Sequence, residues 1–215
     1  MESLAKIAEH TRISYDLAAR RYYDLFRDEL DGKPFDRKLL DDFSSILGRG
    51  AVVHDLGCGP IGHVARYLHA GGLRVIGSDI SPRCIAIAST CHPDIEFLVM
   101  DMASLALGDR SVDGLVSYYS IIHTPKRLLP GIFREFGRVL RRGGRLLLAV
   151  KEGDQEGYLD EFLAFATRIW FTYFRQEEIA RFLTDAGFRM LLLERRCPLE
   201  GEIRVPRIFA VGEKP

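Results

Sequence analysis

Between Ser14 and Leu30, apolar residues recur at Leu17, Ala18, Leu25, Phe26 and Leu30 with charges between them. That spacing predicts a helix with one buried stripe. Gly32 and Pro34 are expected to break it, and a second helix is expected over residues 37–47, stopped by Gly48 and Gly50. From residue 51 the pattern changes. Short, nearly continuous apolar runs at 51–56, 73–77, 95–100, 112–118 and 145–150 read as strands, with helical stretches between several of them. Ser81-Pro82 reads as a cap and first helical residue, since Ser accepts an orphan N–H and Pro has none to lose. A helix over 129–140 should close at Arg141-Arg142-Gly143-Gly144, its arginines facing the negative helix end. Residues 176–186 predict another helix ending at Gly187, followed by strands at 190–195 and 207–211. Alternating strands and helices predict an α/β, doubly wound, mostly parallel sheet. No repeat or low-complexity linker divides the chain.

The turn after the first strand carries the densest chemistry. In VVHDLGCGPIGH, Gly57, Gly59 and Gly62 fit GxGxxG, which lets backbone approach a ligand closely. A dinucleotide would bring a pyrophosphate to the helix N-terminus beyond it. S-adenosyl-L-methionine brings no phosphate but a sulfonium, an ammonium and a carboxylate, so Asp55 becomes useful. Asp79 ends the second strand and suits ribose hydroxyls, for either cofactor. Asp101 follows the third strand, where it could accept the adenine amino group beside the Met102 N–H.

Taken in order, these residues resemble the class I (Rossmann-like) S-adenosylmethionine-dependent methyltransferases over about residues 51–212. DLGCG is similar to the family's first motif, with Asp79 at its ribose-binding acid and Asp101-Met102 at its adenine-binding pair. SVDGLVSYYSIIHTP resembles the fourth-strand motif, RVLRRGGRLLLAV the fifth-strand segment, and FLTDAGF a characteristic helix end. The resemblance implies a seven-stranded sheet with the last strand antiparallel, an N-terminal helical cap and transfer to a small molecule. Tyr15 and Tyr22 match tyrosines that close over the cofactor in such enzymes. The implied cofactor set is Tyr15, Tyr22, Asp55, Gly57, Cys58, Gly59, Gly62, Asp79, Ile80, Asp101, Met102, Ser117 and Tyr118. One departure stands out: Ile61 occupies the place where the family carries glycine, and Gly62 follows one residue late. A β-branched residue disfavours positive φ, so either this turn differs from the family's or Gly62 takes the special conformation.

Within this single methyltransferase domain, residues 1–50 would form the cap, 51–152 the cofactor-binding core, 153–174 a substrate lid and 175–215 the final helix and strands. The lid segment holds Tyr158, Phe162, Phe165, Trp170, Phe171, Tyr173 and Phe174. It reads either as an aromatic enclosure for an apolar acceptor or as a core helix followed by a strand. His123, just past the fourth strand, is the first candidate for a general base or substrate orienter; a loop-bonding, neutral role is the plainer alternative. Glu152 is the second acid/base candidate. His54 reads as core, His63 as a helix opener, and His10, His69 and His92 as surface. Glu202 is expected to fix Arg207 by an ion pair or to reach the pocket.

Charge and cysteine usage change little. Thirty basic and thirty acidic side chains give a formal net charge of zero, which disfavours nucleic acid and anionic membrane as partners. Cys58, Cys84, Cys91 and Cys197 contain no CxxC pair, so neither a metal site nor a disulfide framework is expected. The reading is a cytoplasmic enzyme, monomer or homodimer, acting on an oxygen or nitrogen of a small, aromatic or apolar metabolite. An NAD(P)-dependent oxidoreductase and a fold that binds ligand without methyl transfer are the alternatives. The first lacks a Tyr-x-x-x-Lys pair; the second is kept open by Ile61.

Overall fold

The computed structural model describes residues 2–215. Its main sheet has seven strands in the order β3-β2-β1-β4-β5-β9-β8: β1 (Val52–Leu56), β2 (Arg74–Asp79), β3 (Glu96–Val99), β4 (Val112–Tyr118), β5 (Leu140–Lys151), β8 (Arg189–Arg196) and β9 (Arg207–Glu213). The pairs from β3 to β5 are parallel, and β9 runs antiparallel to both its neighbours. Alternation along β5 shows why the strands read as unbroken apolar runs. Leu146, Leu148 and Val150 join one buried cluster with Phe133 and Phe136 of α5 (Leu129–Val139) and Ile179 and Leu183 of α6 (Gln176–Asp185). Leu147 and Ala149 join the other, with residues of α2 (Pro34–Leu47), α3 (His63–Ala70) and α4 (Pro82–Cys91). No helix covers the crossover from β3 to β4; Met102, Ala103, Leu105 and Leu107 of that loop pack on the first cluster instead.

Ser81 caps α4 as expected, accepting from the Cys84 N–H at 3.0 Å. Other boundaries differ. The first helix, α1, runs Leu4–Phe26, ten residues earlier than its apolar stripe predicts. Its buried face is Ile7, Thr11, Ser14, Ala18 and Ala19, where two hydroxyls hide the helical period. Pro34 opens α2 instead of merely ending what precedes it. Arg141 does not sit on the end of α5: the helix stops at Val139, and residues 141–144 loop out of register within β5. There the Arg141 guanidinium pairs with Asp113 at 2.6 Å.

Residues 153–174 form neither a core helix nor a simple strand. They make a separate antiparallel hairpin, β6 (Glu156–Phe162) and β7 (Phe165–Thr172), packed against α1. Its two-residue turn is Leu163-Ala164, both at positive φ (51° and 65°), as a turn matching the strand twist requires. Ser14 Oγ meets Thr167 Oγ1 at 2.9 Å and His10 Nδ1 meets the Tyr158 hydroxyl at 3.0 Å, tying helix to hairpin. Among the described residues no helix is long and apolar enough to cross a membrane.

Candidate active site

The carboxyl ends of β1 and β2 meet at the Gly-rich turn, and the turn's hydrogen bonds decide what it can hold. The N–H groups of Gly57 and Cys58 donate to the Ser78 carbonyl (2.7 and 2.9 Å), that of Gly62 to the Cys58 carbonyl (3.2 Å), and that of Gly59 to Asp79 Oδ2 (3.0 Å). Pro60 has no N–H. These donors are satisfied within the protein, so the turn offers none of them to a pyrophosphate. It is instead a close-approach surface. Gly57 sits at φ +73°, where an added Cβ would lie 2.3 Å from Ser120 Cβ. Gly62 is left-handed at φ +59° and precedes α3, while Ile61 avoids positive φ and is buried. The shifted glycine thus carries the special conformation. His92, expected at the surface, pins the Ile61 carbonyl through Nε2 at 2.8 Å.

Asp79 is buried and lines the crevice beside this turn. Its Oδ1 accepts from the Ser81 N–H at 2.9 Å, leaving each oxygen a further lone pair. Burial pushes its carboxyl up to about 6, against the pull of the backbone donors. Asp101 accepts from the Ala103 N–H at 2.8 Å through one oxygen, and with Ile80 and Met102 it forms the next stretch of the same wall. Asp55 behaves differently. It lies behind the turn, takes the Ala65 N–H at the start of α3, and has no atom on the crevice; burial raises its carboxyl to about 7 and Oδ2 is left unpartnered. Its place is that of a buried link between β1 and α3. Ser117 is likewise withdrawn, bonded to Ser120 Oγ at 2.6 Å, and it is Ser120 that faces the crevice. Tyr118 also faces it, its hydroxyl donating to Asp36.

α1 roofs the crevice with Leu4, Ile7, Ala8, Thr11, Tyr15 and Tyr22. The first four fall in the part of α1 that the sequence reading left out. Buried His63, at the start of α3, lies 3.7 Å from Glu29 and also lines the crevice.

A second cavity of about 610 Å³ opens from the same place, sharing Tyr15, Tyr22, Glu29, Tyr119 and His123 with the crevice. Phe26, Ile122, Phe162, Leu163 and Phe171 make it largely apolar; Lys33, Lys151, Glu202 and Arg207 bring charge. His123 stands on the partition. Its Nδ1 lies 2.9 Å from the Trp170 carbonyl, which can only accept, so Nδ1 carries the proton. Nε2 therefore accepts from the Tyr15 hydroxyl, also at 2.9 Å. Both ring nitrogens are engaged, and burial pushes the imidazole down to about 4. Glu152 lies apart from both cavities, paired with Arg195 at 2.7 Å. Glu202 does approach Arg207 (3.6 Å), but its stronger partners are Arg196 (2.9 and 3.0 Å) and Lys33 (2.9 Å).

Residues 54–148 match a family model described as a methyltransferase domain. Methyltransferase GfsG of Streptomyces halstedii is 34% identical over 110 residues, covering 48% of this chain and 38% of that protein. The chain thus matches well under half the length of that curated relative. In fold, the chain is similar to the 1,6-didemethyltoxoflavin-N1-methyltransferase of Burkholderia thailandensis, solved with 1,6-didemethyltoxoflavin and S-adenosylhomocysteine (TM-score 0.75, 19% identity, 100% of this chain and 91% of that one). It is also similar to the magnesium protoporphyrin IX methyltransferase ChlM of Synechocystis PCC 6803 with bound SAH (TM-score 0.72, 17% identity, 97% and 100%). The motif order and the sheet with its one antiparallel strand agree with these matches: residues 54–148 resemble a methyltransferase domain, and the chain has the Rossmann-like fold of S-adenosylmethionine-dependent methyltransferases.

Proposed function

We propose that the protein methylates an oxygen or nitrogen of a small, aromatic or apolar metabolite held in the 610 Å³ cavity. The observation that carries this reading is the shared partition. Tyr15, Tyr22, Tyr119 and His123 border both the crevice and the aromatic cavity, an adjacency that supports a cofactor and an acceptor side by side. S-adenosylmethionine, when bound, supplies an electrophilic methyl group on a sulfonium. Asp79 and the Asp101-Met102 pair would hold its nucleoside end, with the Gly57–Gly59 backbone and Ser120 against the rest and Tyr15 and Tyr22 above. Asp55, Gly62 and Ser117 support these groups from behind.

His123 acts in this reading as an orienter. A neutral imidazole with both nitrogens engaged fixes the Tyr15 hydroxyl and anchors β7, which is the segment's role as a lid: it closes the cavity and excludes water. The neighbouring enzymes act on, or bind, flat heterocycles by their names, which agrees with an aromatic acceptor and does not name it. Formation of S-adenosylhomocysteine against a panel of phenols, aromatic acids and N-heterocycles tests the proposal. Tight cofactor binding with no turnover across the panel would favour a fold that binds without transferring methyl.

A further inference from the structure

The charged side chains on and behind one wall of the second cavity are almost all paired with one another. Lys33 pairs with Glu29 and Glu202, Arg196 with Glu202 and Asp36 (2.9 and 3.0 Å), and Arg207 leans on Glu202 while donating to the carbonyls of Val205 and Ile203. Those three cations and three carboxylates balance. Two further acids, Asp28 and Glu200, line the rim and are exposed, where solvent and salt screen them.

Lys151 stands outside this balance. It ends β5 and lines the cavity, and among the described residues its ammonium makes no ion pair and no hydrogen bond. Its ammonium lies 5.4 Å over the Phe171 ring, a contact that orients a cation without neutralising it. Burial, with Arg207 and Lys33 nearby, pushes it down to about 8, while Glu29 and Glu202 pull weakly the other way. A sheltered ammonium without a counter-ion is costly unless an anion comes to share the site.

We infer that Lys151 is an acceptor-recognition residue, and that the acceptor is an aromatic acid whose carboxylate sits against Lys151 while its ring lies among Phe162, Phe171 and Tyr119. The inference rests on this cavity receiving the acceptor.

Binding of 2-naphthoate and of 2-naphthamide to the S-adenosylhomocysteine-loaded protein tests it by calorimetry, without any need for turnover. The acid is expected to bind at least about tenfold tighter than the amide. Lys151→Met should erase that preference by weakening the acid alone, Lys151→Arg should keep it, and cofactor affinity should be unchanged in both. The Lys151 ε-carbon, followed by NMR, should titrate near 8 in the free protein and move up when naphthoate binds. Equal affinities, failure of the acid to bind, or a preference that survives in Lys151→Met would overturn the inference. Preferential acid binding with no acid methylated would leave it standing and defeat the methyl-transfer reading alone.

Discussion

At the carboxyl edge of the sheet, Asp79 receives N–H groups from Gly59 and Ser81, and Asp101 receives one from Ala103. Each acid is fixed by backbone within its own turn or the adjacent one. Across the partition the second cavity is assembled differently. Tyr15 meets His123 from 108 residues away, Ser14 meets Thr167 from 153, and Lys33 joins Glu202. Its walls come largely from α1, the β6–β7 hairpin and the connection before β9, completed by Tyr119, Ile122 and His123 after β4 and by Lys151 at the end of β5. The floor of the crevice therefore depends on local backbone geometry, and the cavity on side chains brought together from distant segments. Damage to one should spare the other.

The severest test is Gly57→Ala. A methyl group at a left-handed residue, 2.3 Å from Ser120 Cβ, should weaken cofactor binding about 100-fold through backbone strain and overlap. Calorimetry on the folded variant measures it, and affinity within a few-fold of wild type would break the claim that this turn is a contact surface. Next is Asp79→Ala, expected to cost about 10–100-fold in cofactor affinity through lost hydrogen bonds to an ionised acceptor. In the wild type the same affinity should decline as pH falls through about 6, because a raised carboxyl pKa means the accepting anion is lost on the acid side. A flat profile from pH 8 to 5 would take Asp79 out of the site.

The fold was legible because strand and helix periods in the core answer to burial on two known faces. That Asp79 and Asp101 share one wall was legible because each follows a strand at the sheet's carboxyl edge. What stayed hidden was set by long-range contacts. The first turns of α1 escaped notice because Thr11 and Ser14 occupy buried positions that look polar in sequence. Ser120 took the place expected of Ser117 because the strand's last turn carries the chain past the turn glycine, a matter of three residues. Asp55, reasonable as a cofactor ligand by its spacing, faces the start of α3 instead. Lys151 had no motif around it and becomes conspicuous only when its neighbours' pairings are known.

Smaller effects sharpen the comparison. Gly62→Val should reduce cofactor affinity about tenfold and Ile61→Gly less than about threefold, since only residue 62 needs the left-handed conformation. The reverse order would move the special geometry to residue 61. Trp170→Ala should raise the acceptor KM about three- to tenfold and leave cofactor affinity within about twofold, because it loosens the hairpin alone. Equal losses of both would make the hairpin part of one common core. The smallest effect is His123→Gln, expected to lower kcat by about threefold or less, with kcat insensitive to acid down to pH 5, because the imidazole is already neutral there. A loss above about 100-fold would restore it as a general base.

The hairpin tip has a consequence for how the second cavity could be reshaped. Leu163 and Ala164 both hold a conformation that costs an L-residue about 1–2 kcal/mol, and Leu163 lines the acceptor cavity. Asn or Gly would relieve that strain, so leucine at position 163 works against the turn while its side chain forms part of the cavity wall. Most cavity-lining replacements must be tolerated by the scaffold before selection can act on them. Here the scaffold would welcome the loss, and a lineage drifting toward a larger or more polar acceptor would gain stability with its first step.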